Sequence, residues 1–558
     1  MKTTGAELLM RLLERQGITT IAGIPGGASL PLYDALRAST IRHVLARHEQ
    51  GAAFIAQGMA RATGRPAVCF GTSGPGATNL LTGIADAKLD SIPLIAVTGQ
   101  VPRAMIGTDA FQEIDTYGLT VPITKHNYLV RSAAELLEVI PDAFRVATSA
   151  RPGPVVIDVP KDVQLAAVEL DAFPEPGRPD PPPRLDPDAL ARAAALLNEA
   201  ERPVLLVGAG VIAADASAVL RRVAERVAAP VAATLLGLGA MPHDHPLFLG
   251  MVGMHAARGT NLVLEECDLL VGLGIRFDDR ATGKVAEFCP RARVVHVDID
   301  PSELGKIKRP TVGLVADVRA ALEALEPLLA TAPRPAWRSH AAALRAAHPL
   351  VMPEADDPCS PYGIVRHTAA LLGADAVVTS DVGQHQMWAA QAYPFSRPRQ
   401  WLTSGGLGTM GFGLPAAIGA ALALPDRPVA CFTGDGSLLM NIQELATLAE
   451  ERAPVKVILL DNGHLGLVRQ QQELFYGRRY HASRFQSEPD FAAIARGFGI
   501  AAHDLGATRE PLAVLARALG TPGACLVRVP IARSANVYPM VPPGAANRDM
   551  IEEAPHAD

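Results

Sequence analysis

A carboxylate and a carboxamide lie after two apolar runs in the last third of the chain, at a spacing that suits a metal ion. Asp435 stands between Gly434 and Gly436 after one run, and Asn462 follows 27 positions later, after the next. Mg²⁺ takes hard oxygen ligands of these kinds and fills its remaining coordination with water, backbone carbonyls and phosphate oxygens. The glycines allow close backbone approach, and Ser437 opens a helix whose N-terminus favours negative charge. The pattern predicts a site for Mg²⁺ and a diphosphate.

A second candidate for chemistry is an acid near the N-terminus. Glu49 follows the strand-like run 41–46 and precedes a helix. Parallel sheets present reactive side chains at the carboxyl ends of their strands. A glutamate at a helix N-terminus is also favoured by the helix dipole alone, so this residue by itself leaves a structural role open.

The elements that must position these residues form three blocks in which short β-branched runs alternate with helical periodicity. This pattern predicts an α/β chain of three doubly wound domains, each with a parallel sheet covered on both faces. The predicted blocks are 1–170, 189–332 and 362–545, with proline-rich linkers at 171–188 and 333–361 and a C-terminal tail at 546–558. The clearest strands are 94–98, 155–159, 204–207, 294–299, 377–379 and 455–460.

Composition narrows the class of protein. The 558 residues are 49% hydrophobic and 19% charged, with a net charge of -6 and no basic run, which favours a globular enzyme and disfavours a nucleic-acid partner. No apolar stretch reaches the roughly 18 residues that span a bilayer, and the first residues carry a capping box at Thr4 and Glu7, not a signal peptide, so we expect no membrane association. Six widely spaced cysteines without metal-ligand spacing indicate reduced thiols and a cytoplasmic location.

Two glycine-rich fingerprints occur. The run 406–411 matches G-x-G-x-x-G, but no strand of its own is expected before it, and its acidic partner Asp426 lies in a turn flanked by proline. We therefore interpret its glycines as serving close approach to a ligand other than a dinucleotide. The run 208–213 directly follows the predicted strand 204–207 and has the better context for a dinucleotide, although Ala213 replaces the last glycine.

The chain resembles the acetohydroxyacid synthase (acetolactate synthase) family of thiamine diphosphate enzymes along nearly its whole length. The GDG run with a later Asn is the diphosphate signature of such enzymes. Eight further runs carry the resemblance: 23–27 (GIPGG), 48–52 (HEQGA), 72–79 (TSGPGATN), 107–113 (GTDAFQE), 151–154 (RPGP), 276–280 (RFDDR), 381–385 (DVGQH) and 405–411 (GGLGTMG). Within the family, Gln471 and the run 537–544 are similar to the enterobacterial isozyme I catalytic subunits.

The resemblance implies a pyrimidine-binding, a central FAD-binding and a diphosphate-binding domain, in that order. It assigns Glu49 to N1′ of the cofactor's aminopyrimidine, where a carboxyl promotes the tautomer that takes the C2 proton. Met410 matches the apolar wedge that bends the cofactor. The implied thiamine diphosphate contacts are Pro25, Glu49, Pro75, Asn79, Gln112, Val382, Gly383, Gln384, His385, Gly408, Met410, Gly434, Asp435, Gly436, Ser437, Asn462 and Gly466. The implied metal ligands are Asp435, Asn462 and the backbone carbonyl of His464.

The implied reaction joins two 2-ketoacids. Pyruvate is decarboxylated, and its hydroxyethyl unit is transferred to a second pyruvate or to 2-ketobutyrate, in valine, leucine and isoleucine biosynthesis. The residues implied to act on substrate are Glu49, Gly26, Phe111, Gln112, Lys161 and Arg280, the last binding the acceptor carboxylate through its guanidinium fork. The implied contacts to a structural FAD are Arg151, Gly208, Gly210, Thr234, Leu235, Met254, His255, Gly274, Arg276, Asp278, Arg280, Asp298, Ile299 and Asp317.

Two positions depart from the family pattern. Asp461 stands where the family usually has a first Asn, which adds a negative charge beside the predicted metal site. Gln471 stands where most members have a Trp that contacts the extra methyl of 2-ketobutyrate; with Met254 it is the predicted specificity position. Loss of an apolar contact of about one methylene is worth roughly 1–3 kcal/mol, so we expect a weaker preference for 2-ketobutyrate over pyruvate.

Glu49 and Asp435 lie in different blocks, so one cofactor must bridge two domains. In the family these domains come from two subunits, and the resemblance therefore implies a homo-oligomer with the active site at a subunit interface. It also implies a separate small regulatory subunit. Three alternatives share parts of the pattern: an FAD-dependent pyruvate oxidase, another thiamine diphosphate 2-ketoacid decarboxylase, and a non-catalytic scaffold. The RFDDR and GTDAFQE runs favour the synthase.

Overall fold

The chain folds into three α/β domains, each built on a six-stranded sheet whose strands are all parallel. The structure is a computed structural model, and it describes residues 2–553, so residue 1 and the predicted tail beyond 553 lie outside the described part. The predicted fold class is confirmed. The cores form between the sheets and the helices that cover them.

The N-terminal domain has the sheet order β3-β2-β4-β5-β7-β6, beside a two-stranded antiparallel pair, β1 with β8. Its elements are β1 (Lys2–Thr4), α1 (Gly5–Arg15), β2 (Thr20–Gly23), α2 (Leu30–Arg37), β3 (Arg42–Leu45), α3 (Glu49–Thr63), β4 (Ala67–Gly71), α4 (Pro75–Asp90), β5 (Leu94–Gln100), α5 (Thr116–Thr120), β6 (His126–Leu129), α6 (Leu136–Thr148), β7 (Val155–Pro160), α7 (Lys161–Leu165) and β8 (Ala167–Glu169). The predicted capping box begins α1: Thr4 accepts from the N–H of Glu7, whose carboxylate accepts from the N–H of Thr4.

The central domain has the sheet order β11-β10-β9-β12-β13-β14. Its elements are α8 (Pro187–Glu199), β9 (Pro203–Val207), α9 (Ala209–Ala213), α10 (Ser217–Val227), β10 (Val231–Ala233), β11 (Phe248–Met251), α11 (Arg258–Glu266), β12 (Leu269–Leu273), α12 (Asp279–Thr282), β13 (Arg293–Asp298), β14 (Val312–Val315), α13 (Val318–Leu325) and α14 (Pro335–Ala347). Helix α14 lies within the predicted linker 333–361, where Trp337 is buried and donates through Nε1 to the carbonyl of Pro203. Proline at the start of this helix is compatible with it, which is why a proline-rich stretch still contains a packed element.

The C-terminal domain has the sheet order β16-β15-β17-β18-β20-β19. Its elements are α15 (Pro361–Leu372), β15 (Val377–Ser380), α16 (Gln384–Ala392), β16 (Trp401–Thr403), α17 (Gly413–Ala423), β17 (Val429–Gly434), α18 (Asp435–Met440), α19 (Glu444–Glu451), β18 (Val455–Asp461), α20 (Gly466–Phe475), α21 (Phe491–Gly497), β19 (Ala501–Asp504), α22 (Pro511–Gly520) and β20 (Cys525–Pro530). The six clearest predicted strands are all present, because buried parallel strands are near-continuous β-branched runs. The described part of the predicted tail lies on the central domain, where Asn547 donates to the carbonyl of Ala281.

The N-terminal and C-terminal domains of one chain contact each other through α3 and α17. A Cβ added at Gly58 would overlap the carbonyl oxygen of Ala416, so the glycine permits close approach of the two helices. Phe54 and Phe412 meet edge to face across this contact, with ring centroids 5.3 Å apart. Both helices are almost entirely buried, which fixes the two sheets relative to each other.

None of the helices within residues 2–553 has the length and apolar character needed to cross a bilayer.

Candidate active site

The predicted diphosphate site is a cavity of about 210 Å³ at the carboxyl ends of β15, β17 and β18, which are neighbours in the C-terminal sheet. Ligands of open α/β sheets gather at this edge, where the strand order reverses. All twelve residues of this domain that were predicted to contact thiamine diphosphate line the cavity: Val382, Gly383, Gln384, His385, Gly408, Met410, Gly434, Asp435, Gly436, Ser437, Asn462 and Gly466. Residues that are distant in sequence, most of them at strand ends, therefore line one cavity.

Asp435 is held rigidly at the end of β17. Its Oδ1 accepts from the N–H of Gly436 at 2.8 Å, and its Oδ2 accepts from the N–H of Gly463 at 2.6 Å. Burial, with a smaller contribution from the carboxylate of Asp461, raises the pKa of Asp435. A bound cation would offset the cost of burying this charge.

Asn462 presents its amide next to this carboxylate. Its Nδ2 donates to Oε1 of Gln384 at 3.1 Å, and its Oδ1 accepts from the N–H of His464 at 3.1 Å, which fixes the orientation of the side chain. Residues 2–553 contain no cluster of three His, Cys, Asp or Glu side chains that is suited to a metal. A metal at Asp435 would therefore need amide, backbone, water or phosphate oxygens for the rest of its shell.

The departure at Asp461 is compensated within the chain. Nε of Arg528 donates to Oδ2 of Asp461 at 2.6 Å, and Nη1 of the same guanidinium donates to Asp504 at 2.9 Å. The extra negative charge beside Asp435 therefore has a cation as its partner. The sequence did not identify this partner, because Arg528 lies 67 positions away on the adjacent strand β20.

A buried imidazole lies against the same cavity. His385 is almost fully buried, and its Nε2 has no hydrogen-bond partner within residues 2–553. Burial lowers the pKa of His385 to about 3, so the ring is neutral at pH 7. A buried polar atom without a partner is rare in folded proteins and indicates a place for a ligand's polar atom.

The loop 404–411 carries Gly408 and Met410 into the cavity, and acidic residues of the other domain hold it. Carboxylate oxygens of Asp90 accept from the N–H groups of Gly405 and Gly406 at 3.0 and 2.7 Å. Asp86 accepts from the hydroxyls of Ser404 and Thr409.

Arg61 lies between the two aspartates, with Nη2 2.8 Å from Asp90 and 3.0 Å from Asp86. Its guanidinium also donates to the carbonyl of Thr403 and lies 4.9 Å from the ring of Phe412. Both aspartate side chains are fully buried.

The structure corrects one expectation about this loop. A strand, β16, does lead into the glycine-rich run 406–411; it is only three residues long, which is why the sequence did not reveal it. Gly408 nonetheless lines both cavities and Gly406 lines the larger one, as expected for close approach to a ligand.

Glu49 lies at the carboxyl edge of the N-terminal sheet, as the first residue of α3 after β3. The Nδ2 of Asn79, on α4, donates to its Oε2 at 2.9 Å. Oε1 of Glu49 receives no hydrogen bond from residues 2–553, and the neighbouring Gly76 leaves space beside it. The carboxyl is thus oriented by one partner and keeps one oxygen for a ligand.

Other residues predicted near this acid follow adjacent strands. Pro25 and Gly26 follow β2, and Pro75 begins α4 after β4. Gln112 has a positive φ of 60° and lies against Gly74.

The side chain of Phe111 is 87% exposed, which is unusual for a large apolar residue and suggests a surface that another molecule covers. Lys161 begins α7 at the end of β7.

None of the eight predicted site residues of this domain (Pro25, Gly26, Glu49, Pro75, Asn79, Phe111, Gln112 and Lys161) lines the cavity at Asp435. The two halves of the predicted site therefore do not meet within one chain.

A larger cavity of about 890 Å³ opens at the carboxyl ends of β9 and β12, where the strand order of the central sheet reverses. All fourteen residues predicted to contact FAD line it: Arg151, Gly208, Gly210, Thr234, Leu235, Met254, His255, Gly274, Arg276, Asp278, Arg280, Asp298, Ile299 and Asp317. A Cβ added at Gly210 would lie 2.6 Å from the Cα of Gly274, so the loops after these two strands need the glycine to meet. Pockets of this volume hold cofactor-sized ligands.

Charged groups line one end of this cavity. Asp298 ends β13, and burial raises its pKa to about 6; its Oδ1 accepts from the N–H of Asp300 at 2.9 Å. Arg151 pairs with Asp300 at 3.2 Å and with Glu303 at 2.7 Å. A carboxylate at a strand end, near a glycine turn, is the arrangement that binds a ribose hydroxyl in dinucleotide sites.

The residues predicted to contact the acceptor ketoacid lie in the larger cavity. Arg280, Met254 and Gln471 all line the larger cavity, and Nη1 of Arg280 lies 3.9 Å from Sδ of Met254. Arg280 is mostly exposed, and its ion pair with Asp279 is long at 3.8 Å, so its guanidinium remains available to an anionic ligand. The two cavities share lining residues Val382, Gly408 and Leu467.

Three segments of the chain match family models of known proteins. Residues 3–119 match the thiamine pyrophosphate enzyme N-terminal TPP binding domain, residues 190–325 match the central domain of such enzymes, and residues 381–529 match their C-terminal TPP binding domain. The chain thus contains both domains that bind thiamine diphosphate.

Curated relatives extend over the full chain. The acetolactate synthase isozyme 1 large subunit of Escherichia coli (strain K12) is 57% identical over 99% of this chain and 98% of its own length. The isozyme 2 large subunit of the same organism is 46% identical over 98% of this chain and 99% of its length. The chloroplastic acetolactate synthase 1 of Nicotiana tabacum is 45% identical over 98% of this chain and 85% of its length. The chain therefore belongs to the acetolactate synthase large-subunit family of thiamine diphosphate enzymes.

Proposed function

We propose that this chain is a catalytic large subunit that decarboxylates pyruvate and transfers the hydroxyethyl unit to a second 2-ketoacid. The products are 2-acetolactate from pyruvate and 2-aceto-2-hydroxybutyrate from 2-ketobutyrate, in branched-chain amino acid biosynthesis. The observation that carries the proposal is the single cavity in which twelve predicted cofactor residues converge around Asp435 and Asn462.

The residues around this cavity fit thiamine diphosphate with Mg²⁺. The buried Asp435 carboxylate and the amide of Asn462 suit a hard cation, and the unpartnered Nε2 of His385 suits a polar atom of the cofactor. We infer that Asp435, Asn462 and the carbonyl of His464 hold the metal. Thiamine diphosphate, when bound, supplies a nucleophilic carbon and an electron sink for the decarboxylation.

The chain's own residues would position the substrate and move one proton. The free Oε1 of Glu49 would exchange a proton with the aminopyrimidine ring, while Asn79 keeps the carboxylate oriented. Met410 would press against the cofactor as the apolar wedge. Arg280 would bind the acceptor carboxylate with its guanidinium fork, and Gln471 would leave the acceptor's side chain without a strong apolar contact.

We infer that two copies of the chain complete the site. Glu49 and Asp435 bind the same cofactor in this proposal, yet none of the predicted site residues of the N-terminal domain lines the cavity at Asp435. The exposed Phe111 next to Gln112 gives a surface through which one copy would close the cavity of another. The relatives are named large subunits, which supports a separate small regulatory subunit as a further partner.

We propose that the larger cavity holds FAD in a structural role. Its volume, its glycine turn at Gly208 and Gly210, and the carboxylate of Asp298 at a strand end suit a dinucleotide. The proposed carboligation transfers no net electrons to a flavin, so FAD would support the site by filling the space next to Arg280 and Gln471.

One assay tests the proposal against the oxidase alternative. The purified protein is incubated with pyruvate, thiamine diphosphate and Mg²⁺, with and without FAD, while acetolactate and flavin absorbance are followed. The proposal expects acetolactate without bleaching of the flavin. Flavin reduction by pyruvate, with acetate in place of acetolactate, would assign the chain to the oxidase.

The variant Glu49→Gln tests the mechanism separately. It should slow C2 proton exchange of the bound cofactor by about 10²- to 10⁴-fold while retaining cofactor binding, because only the proton relay is lost. Exchange at the normal rate in this variant would remove Glu49 from the mechanism.

A further inference from the structure

The turn that carries Glu49 is held by a buried carboxylate from the opposite domain of the same chain. Glu444 is the first residue of α19 in the C-terminal domain, and it is fully buried. Its Oε1 accepts from the backbone N–H of Arg47 at 3.0 Å and from that of His48 at 3.1 Å. These two amides immediately precede Glu49.

The rest of the Glu444 carboxyl is also fixed. Its Oε2 accepts from the hydroxyl of Thr447 at 2.7 Å, and Thr447 lies 3.3 Å from the carbonyl of Leu45 at the end of β3. Helix α19 therefore contacts the N-terminal domain at the point where the strand stops and the turn to Glu49 begins.

The chain leaves space for this contact. Gly51 lies in the first turn of α3, and a Cβ added there would overlap Oε1 of Glu444. The close approach of a carboxylate to this turn thus requires glycine at position 51. Glycine within a helix is otherwise less favourable than alanine.

We propose that Glu444 is a positioning residue that sets the direction of the Glu49 carboxyl by anchoring the two amides before it. The inference rests on the proposed function, since it gives Glu49 its role. Without the anchor, two partly buried N–H groups lose their acceptor, and the turn shifts to find water or another partner. A displacement of about 1 Å at a reacting group can cost about 10²-fold in rate.

Three variants separate a hydrogen-bonding anchor from a charge effect. Glu444→Ala removes the acceptor. Glu444→Gln keeps it, because one amide oxygen can accept from both N–H groups while its NH₂ donates to Thr447. Gly51→Ala keeps the Glu444 carboxyl group but displaces it sterically. Glu450→Ala is the matched control, because Glu450 lies on the same helix, is exposed and forms an ion pair with the half-buried Arg47 side chain.

The first measurement is amide hydrogen exchange of the segment 45–52 in the full protein without cofactor. We expect faster exchange in Glu444→Ala and Gly51→Ala, and wild-type exchange in Glu444→Gln and Glu450→Ala. Helix propensity alone predicts slower exchange in Gly51→Ala, whereas loss of the anchor predicts faster exchange. This variant therefore distinguishes the two effects even if Glu444→Ala does not fold. Unchanged exchange in Gly51→Ala and in any folded Glu444→Ala would overturn the anchor.

The second measurement is C2 proton exchange of bound thiamine diphosphate. We expect it to be about 10- to 100-fold slower in the two variants that disturb the anchor and near normal in Glu444→Gln. Normal C2 exchange in the disturbed variants, or a Glu444→Gln variant as slow as they are, would overturn the positioning role. Failure of the proposed function would instead be seen as normal C2 exchange in Glu49→Gln, with the amide exchange results unaffected.

Discussion

Replacing Asp90 tests whether the N-terminal domain holds the loop that reaches the cofactor cavity. The Asp90→Ala variant removes both acceptors of the loop amides, Gly405 and Gly406, and one partner of the Arg61 guanidinium. The contact with Arg61 is buried, the two contacts with the loop amides are partly buried, and the loop carries Gly408 into the cavity.

The size of the effect follows from these contacts. A buried N–H left without an acceptor costs about 1–3 kcal/mol, and the partly buried N–H groups of Gly405 and Gly406 lie at the lower end of that range because water can reach them. Removing one partner of a buried ion pair costs about 3–5 kcal/mol, but Arg61 keeps Asp86 at 3.0 Å and the carbonyl of Thr403, so the lower part of that range applies. These terms overlap, and we expect a total loss of about 3–5 kcal/mol at the domain contact. Asp90→Asn keeps one acceptor and should cost about half as much.

The assay has two readouts on the full protein. The thermal midpoint without cofactor reports the domain contact, and the thiamine diphosphate concentration for half-maximal activity reports the loop. We expect Asp90→Ala to lower the first and to raise the second by about 10- to 100-fold, since a loss of 1.4 kcal/mol at the cofactor is tenfold. Asp426→Ala, an exposed aspartate of the C-terminal domain, should change neither. A lowered midpoint with unchanged cofactor affinity would refute the link between this carboxylate and the cofactor loop.

Three further predictions concern specificity, pH and the metal. Gln471→Trp should raise the ratio of acetohydroxybutyrate to acetolactate at equal ketoacid concentrations by up to about 10- to 200-fold, measured by competition; an unchanged ratio would place the acceptor elsewhere. Burial raises the pKa of Asp158 to about 7, so the folded state holds its proton more tightly and stability falls as pH rises from about 4 to 7, by up to about 4 kcal/mol. The thermal midpoint of Asp158→Asn minus that of the wild type should therefore rise between pH 5 and pH 8, and a flat difference would contradict the shifted pKa. Asp435→Asn should weaken the binding of thiamine diphosphate in the presence of Mg²⁺ by about 10- to 100-fold, because a hydrogen bond or contact to a charged group contributes roughly 1.5–3 kcal/mol. Titration of the apoprotein with the cofactor measures this change, and equal affinity would exclude Asp435 as a metal ligand.

Local patterns in the sequence predicted much of the fold. Buried parallel strands such as β5 and β18 are apolar runs rich in β-branched residues, so their positions could be predicted from the sequence. The short strands β1, β8 and β16 have three residues each and form only through their partners, so no local pattern marks them. Helix α14 was hidden by the prolines around it.

The same distinction applies to the candidate site. Gly434, Asp435 and Gly436 form one turn, so their chemistry was visible in the sequence. Glu444 and Asp90 were not identified, because their partners are 397 and 315 positions away. A glutamate at the start of a helix has an ordinary local explanation, and only the three-dimensional contact assigns it a different role.

The two contacts together explain how distant parts of one chain are coordinated. Asp90, from the N-terminal domain, holds the loop that reaches the diphosphate cavity, and Glu444, from the C-terminal domain, holds the turn of Glu49. Each half of the proposed site is therefore fixed by the opposite domain of its own chain, across the packed pair α3 and α17. Since the two halves line no common cavity within one chain, this internal contact acts before any second copy arrives. Assembly of two copies would therefore bring together a cofactor loop and a Glu49 turn that are already ordered. Most of the conformational entropy lost in ordering them is then lost when the single chain folds and not when two chains associate.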